Sequence, residues 1–166
     1  MTRDRPLAPL TGWKIGGPAA FFAEPADAAA LASCLAFAAG HRLPVLALGG
    51  GTNLLVADAG FPGLVLRCGT RAWHVEPGPD GVLLRAGARA PLASVARGTA
   101  RSGWAGLEWA EGIPGTIGGA VVGNAGAFGG EIATVFRSAA GYSPTTGNQT
   151  LGPADLGFTY RGSALR

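Results

Sequence analysis

Two stretches of this chain are built from residue types suited to holding a bulky anion. Leu48-Gly-Gly-Gly-Thr-Asn-Leu54 follows an apolar run, and a second glycine-rich stretch over residues 106–131 contains Ile113-Pro-Gly-Thr-Ile-Gly-Gly119 and Asn124-Ala-Gly-Ala-Phe-Gly-Gly-Glu131. Glycine removes the Cβ wall, so backbone N–H groups can approach a phosphate-bearing ligand closely. In the first stretch Gly49, Gly50 and Gly51 open the backbone, and Thr52 and Asn53 add a hydroxyl and an amide suited to phosphate oxygens. The loop lacks the Gly-Lys-Ser/Thr of a P-loop and the GxGxxG spacing of a Rossmann turn, which argues against a nucleotide triphosphatase. Each stretch also has a plain structural reading: a tight turn after a strand for the first, close helix packing through small residues for the second. Taken together they point to one large phosphate-bearing cofactor gripped at two places.

Such loops need rigid elements to position them. Residues 26–42 place Leu31, Cys34, Leu35 and Ala38 on one helical face, and residues 44–48 read as a buried strand running into the first glycine loop. Residues 63–67, 73–76 and 82–85 read as further strands, the last two separated by a Pro/Gly turn over 77–81. Residues 91–101 predict a second helix with Leu92, Val95, Ala96 and Thr99 inward. A boundary between two subdomains is expected near residues 68–72.

Composition bounds the class. At 166 residues, 48% hydrophobic and 14% charged, the chain is one ordinary domain or two small ones with a real core, and not a disordered chain. The net charge of +3 comes from twelve arginines and a single Lys14 spread along the chain. That distribution offers no block for nucleic acid and fits a mild attraction for a small anion. Cys34 and Cys68 form no CxxC pair and join no His/Cys cluster, so buried structural thiols in a reducing compartment are expected and a metal site is not. The first residues lack an adjoining apolar signal core and no run could span a bilayer as a helix, so a cytoplasmic location and no membrane partner are expected.

Four ordered strings carry a resemblance to a known family. Residues 11–19 (Thr-Gly-Trp-Lys-Ile-Gly-Gly-Pro-Ala), 48–54, 106–131 and Phe158-Thr-Tyr-Arg-Gly-Ser163 resemble the opening motif, pyrophosphate loop, flavin-facing segment and Tyr-Arg-x-Ser motif of the UDP-N-acetylenolpyruvoylglucosamine reductases. The resemblance spans almost the whole chain; Gly12, Trp13 and Val122-Gly123 depart from it. It implies an α+β, two-subdomain FAD-binding fold of the vanillyl-alcohol-oxidase (PCMH) type, with subdomains over residues 1–69 and 70–166 and FAD between them. The cofactor-binding residues it implies are Gly49, Gly50, Gly51, Thr52, Asn53 and Leu54, then Ile113, Pro114, Gly115, Thr116, Gly118 and Gly119, then Asn124, Ala125 and Gly126. It further implies NADPH as hydride donor, a UDP-sugar with an enolpyruvyl group as substrate, Tyr160 as a substrate contact and Arg161 as the catalytic residue. A permanently charged, forked guanidinium can hold the substrate carboxylate and stabilise charge that develops on reduction.

Other polar and aromatic residues carry expectations of their own. Lys14 is open to two readings, a phosphate contact or a surface charge. Glu108, Glu111 and Glu131 are expected to fix loops through hydrogen bonds, His41 to cap a helix C-terminus, and His74 to bind no metal. Trp104 and Trp109 are expected to pack the core beneath the flavin loop. The family completes its site with a serine proton donor and a late glutamate that follow the Tyr-Arg-x-Ser motif, so the chain looks like the cofactor-binding portion, and Ser163 is not that donor. The surface facing the missing segments would expose apolar area and favour self-association. The alternative reading is a flavin-binding or structural module without turnover.

Overall fold

The computed structural model describes residues 1–79 and 81–166; Asp80, within the turn expected over 77–81, lies outside the described residues. The chain divides into two units, Met1–Gly69 with Tyr142–Asn148 and Thr70–Gly141 with Gln149–Arg166. The division falls between Gly69 and Thr70, with residues 142–148 grouped with the first unit.

The first unit is a four-stranded sheet backed by one helix. Strands β1 (Thr2–Pro6) and β2 (Pro18–Ala23) are followed by helix α1 (Ala28–Gly40), β3 (Val45–Ala47) and β4 (Phe61–Leu66). The order is β1-β2-β4-β3, with β1 antiparallel to β2 and the other pairings parallel. Asp27 starts α1 by accepting the Ala30 N–H at 2.8 Å. At the other end Arg42 takes a left-handed φ of 53°, and Arg42 and Leu43 donate their N–H groups to Ala39 and Ala38, the Schellman pattern in which glycine is the usual occupant. Removing the cap in Asp27→Ala should cost about 1 kcal/mol, read as a lower urea midpoint with unchanged slope. The inward face expected for α1 is the observed one: Ala38 is buried with Ala23, Leu64 and Leu66, and Leu31, Cys34, Leu35 and Cys68 pack against them. Among the described residues neither thiol forms a disulfide, and both are half-buried, less enclosed than expected, because they sit at the margin of this cluster. A second cluster, including Leu7, Ala19, Phe22, Leu48 and Val65, also belongs to this unit.

The second unit opens with the hairpin β5 (Trp73–Gly78) and β6 (Gly81–Ala86), then α2 (Leu92–Arg101), α3 (Ile117–Val122), the short hairpin β7 (Gly126–Ala127) and β8 (Gly130–Glu131), and α4 (Ile132–Val135). Strands β9 (Ala139–Ser143) and β10 (Gly147–Leu151) pair with one another, and α5 (Pro153–Leu156) precedes the last turn. Across this hairpin the Arg85 guanidinium of β6 donates to the Glu76 carboxylate of β5 at 2.6 Å and holds that carboxyl below the usual carboxylate range. Helix α2 buries Leu92, Val95, Ala96 and Thr99, the four residues whose spacing marks its inward face. The Thr99 hydroxyl is satisfied by donation toward the Val95 and Ala96 carbonyls. Around α2, the core gathers Ala110, Ala120 and Ile132, with Trp109, Phe136 and Phe158 against them.

Candidate cofactor and substrate site

In the first unit the three-glycine loop lies at the carboxyl end of β3, inside the crossover that leaves β3 and returns to β4. Parallel strands require such a crossover, and the loops at their carboxyl ends are where open α/β sheets take ligands. Leu48 and Gly51 are buried while Gly50, Thr52 and Asn53 are exposed. Gly51 anchors the loop: its φ is +65°, its carbonyl accepts the Gly12 N–H at 2.9 Å, and an added Cβ would overlap the Leu10 carbonyl oxygen. None of the N–H groups of residues 49–53 donates to another group among the described residues. A run of unpaired amides, three of them on exposed residues, beside a hydroxyl and a carboxamide is a fit for an anionic diphosphate. Thr11, in the string that packs on this loop, is buried and turns its hydroxyl to the Ala8 and Ile15 carbonyls. Lys14 donates to the Pro9 carbonyl at 3.0 Å, so its ammonium ties down its own loop.

The second unit holds the other residues expected to contact the cofactor in one continuous stretch. Pro91 and Thr116 form an isolated bridge, with Leu92 donating to the Gly115 carbonyl and Ile117 to that of Ala90. The bridge pins residues 113–116 against the start of α2 and leaves the Gly115 and Thr116 N–H groups without an acceptor among the described residues. Thr116 caps α3 through the Gly119 N–H, and Gly118 sits so close to Ala88 that a Cβ would crowd it at 3.0 Å.

Beyond α3, Asn124 is 4% exposed with φ +40°, a left-handed conformation that asparagine tolerates better than most residues. Its amide Nδ2 donates to Glu131 Oε2 at 3.1 Å and to the Thr159 carbonyl at 3.0 Å, and its Oδ1 accepts the Ala133 N–H at 3.0 Å. Two tips rise from these anchors. Phe128 and Gly129, both at positive φ, make the two-residue turn between β7 and β8. Tyr160 and Arg161 make the other, closed by reciprocal hydrogen bonds between Thr159 and Gly162 with Arg161 at φ +58°. Phe128 is 93% and Tyr160 88% exposed, and with Arg161, Asn124 and Glu131 they line a cavity of about 270 Å³. The Arg161 guanidinium stands over the Tyr160 ring and pairs with no carboxylate among the described residues. Ser163 donates to the Val122 carbonyl at 2.9 Å, a structural tie.

The three glutamates act as expected. Glu131 holds Asn124, Glu111 pairs with Arg97 at 2.9 Å, and Glu108 accepts the Gly106 N–H; backbone donors, its own first and that of Gly106 second, hold the Glu108 carboxyl below its usual range. His41 Nδ1 lies 2.9 Å from the Phe37 carbonyl at the end of α1. His74 sits 3.4 Å from Glu76, and no cluster that could hold a metal ion occurs among the described residues. Trp109 packs in the core of the second unit and donates to the Gly106 carbonyl. Trp104 does not. It is 42% exposed and lines an open apolar groove with Val75, Pro77 and Val82, because the chain turns out of α2 at Gly103 with φ +82°. Phe128 escaped the reading by residue type; the signal was an aromatic followed by two glycines, which places a bulky side chain at a hairpin tip.

One unit carries a parallel strand pair that delivers an open amide loop, and the other carries a glycine-lined segment and an arginine with no carboxylate partner among the described residues; each is suited to an anionic organic cofactor in an α+β protein. Residues 19–145 match the family of the FAD binding domain, and the chain belongs to that family. It has the α+β FAD-binding fold. It is 41% identical over 163 residues to the UDP-N-acetylenolpyruvoylglucosamine reductase of Chloroflexus aggregans, covering 98% of this chain and 55% of that protein. To the reductase of Synechococcus sp. (strain JA-3-3Ab) it is 45% identical over 161 residues, covering 97% and 51%. The crystal structure of UDP-N-acetylenolpyruvylglucosamine reductase from Thermus caldophilus superposes with a TM-score of 0.76 at 30% identity, over 96% of this chain and 55% of that one. The chain therefore spans about half the length of the relatives it matches. No helix among the described residues is long and apolar enough to cross a membrane.

Proposed function

We propose that this chain is the cofactor-binding part of an NADPH-dependent, FAD-containing reductase that converts UDP-N-acetylenolpyruvoylglucosamine to UDP-N-acetylmuramate in peptidoglycan precursor synthesis. The observation that carries the proposal is Arg161: an exposed guanidinium with no carboxylate partner among the described residues, set beside Tyr160 and Phe128 over an open cavity. Bound FAD would supply hydride transfer, which no amino-acid side chain performs. Residues 49–54 would hold its diphosphate through the unpaired amides, and residues 113–119 with Ala125 and Gly126 would supply close backbone contact. Arg161 would take the enolpyruvyl carboxylate in its two-pronged grip and meet the negative charge that grows beside it as the double bond is reduced. Tyr160 would pack its ring on the substrate while stacking under that guanidinium. The location this implies is the cytoplasm, and apolar side chains such as Leu55 and Phe128 exposed on the separate units would support self-association or cover by further chain.

The test is an absorbance spectrum of the purified protein, followed by anaerobic NADPH with and without the enolpyruvyl UDP-sugar. A flavin spectrum that bleaches with NADPH and recovers only with the sugar is expected of the protein carrying this chain. Flavin that never recovers with substrate would reduce the reading to a cofactor-binding module, and a colourless protein that takes up no added FAD would overturn it.

A further inference from the structure

Asn124 belongs to a glycine-rich stretch that suggests a cofactor contact, yet its side chain is spent within the protein. Both Nδ2 hydrogens have acceptors, Glu131 Oε2 and the Thr159 carbonyl, and Oδ1 takes the Ala133 N–H. A primary amide offers two donors and one two-lone-pair oxygen, so only a single lone pair remains, on a residue that is almost wholly buried.

The three partners lie on different segments. Glu131 ends the second strand of the hairpin that carries Phe128, Ala133 lies in α4, and Thr159 lies 35 residues along, at the base of the turn that carries Arg161. The Thr159 carbonyl also accepts the Gly162 N–H that closes that turn, so Asn124 grips the hinge of the Arg161 loop. Ser163 adds a second tie to the Val122 carbonyl, and the Arg166 guanidinium donates to the Arg161 carbonyl at 2.6 Å. Arg161 holds a left-handed φ that an unsupported loop would relax, and Phe128 does the same across the cavity. A single carboxamide thus ties the bases of both tips.

We propose that Asn124 is a positioning residue that fixes the Arg161 turn against the Phe128 hairpin and acts on the reaction through Arg161. The proposal rests on the reductase reading for its catalytic consequence and on the hydrogen bonds alone for its mechanical one. Aspartate cannot replace asparagine here, because an ionised carboxylate would face the Glu131 carboxylate and the Thr159 carbonyl with no hydrogen to offer either. Glycine is the cleaner deletion, since it accepts φ +40° without strain and removes only the side chain.

The experiment uses Asn124→Gly and Asn124→Asp in the protein carrying this chain, with two readouts. Hydrogen exchange followed by mass spectrometry should show residues 159–162 exchanging about tenfold faster or more in both variants while the first unit is unchanged. Turnover should fall about a hundredfold with flavin retained, the size of effect a small misplacement of a catalytic group produces. Combining Asn124→Gly with Arg161→Met should be no worse than Arg161→Met alone. Unchanged exchange at 159–162 in the folded variants, or fully multiplicative losses in the double variant, would overturn the proposal. Should one variant fail to fold, the other together with Ser163→Ala, which cuts only the second tie and is expected to have the smaller effect on exchange, decides the question. A parent protein that binds flavin but never reduces the sugar overturns the reductase reading instead, and the exchange data still decide whether Asn124 holds the turn.

Discussion

Gly51→Val is expected to unfold the three-glycine loop and, with it, much of the first unit. Valine at φ +65° costs about 1–2 kcal/mol in backbone strain alone, more for a β-branched side chain. Its Cβ would overlap the Leu10 carbonyl, so either the loop or the segment before Thr11 must move, and the Gly12 to Gly51 hydrogen bond is lost at about another 1 kcal/mol. A total of about 3–5 kcal/mol is a large share of the 5–15 kcal/mol typical of a domain. Urea melts followed by circular dichroism should show a far lower midpoint, and the protein should come off the column without flavin. Gly50 makes the control. It is exposed and not at positive φ, so Gly50→Val should leave the melt within about 1 kcal/mol of the parent and still empty the cofactor site. Retained flavin in a folded Gly50→Val protein would sink the assignment of the loop to the diphosphate.

Arg161 separates stability from activity in the opposite direction. Arg161→Lys keeps the charge and loses the fork, and Arg161→Met loses both; turnover should fall by about 10²–10³ in the methionine variant, with lysine recovering only part of it. Neither should shift the melt greatly, because the side chain is exposed and its contact with the Tyr160 ring is worth about 0.5–1 kcal/mol. Arg161→Gly is the sharper case. Relief of a left-handed φ contributes about 1–2 kcal/mol against that lost ring contact, so the inactive glycine variant should be at least as stable as the parent. A glycine variant markedly less stable than the parent would show that the arginine is held for structure.

The parts of this fold that were legible in the sequence are those whose signal is local. Helix α2 announces its buried face in the spacing of Leu92, Val95, Ala96 and Thr99, and α1 does the same through Leu31, Cys34, Leu35 and Ala38. The loop at Gly49, Gly50 and Gly51 was legible because three missing Cβ atoms in a row are conspicuous whatever surrounds them. Strand β1 was not, since Thr2-Arg-Asp-Arg-Pro6 is exposed at every position and becomes a strand only by pairing with β2. Nor was the bracing role of Asn124, which depends on Thr159 arriving from a distant segment. Trp104 misled for a related reason: a large aromatic ring favours burial on average, and the left-handed Gly103 before it sends this one outward.

The strand order of the first unit also sets a sequence of events during synthesis. Strand β4 is the last of the four to leave the ribosome, yet it lies between β2 and β3 and supplies every pairing β3 has. Until Phe61–Leu66 emerges, β3 has no neighbour, and the loop at residues 49–53 has no fixed strand end from which to project. The nascent chain thus carries the unpaired amides of residues 49–53 before the strand they project from is anchored, and the step that fixes this loop is the insertion of one apolar strand into a waiting slot.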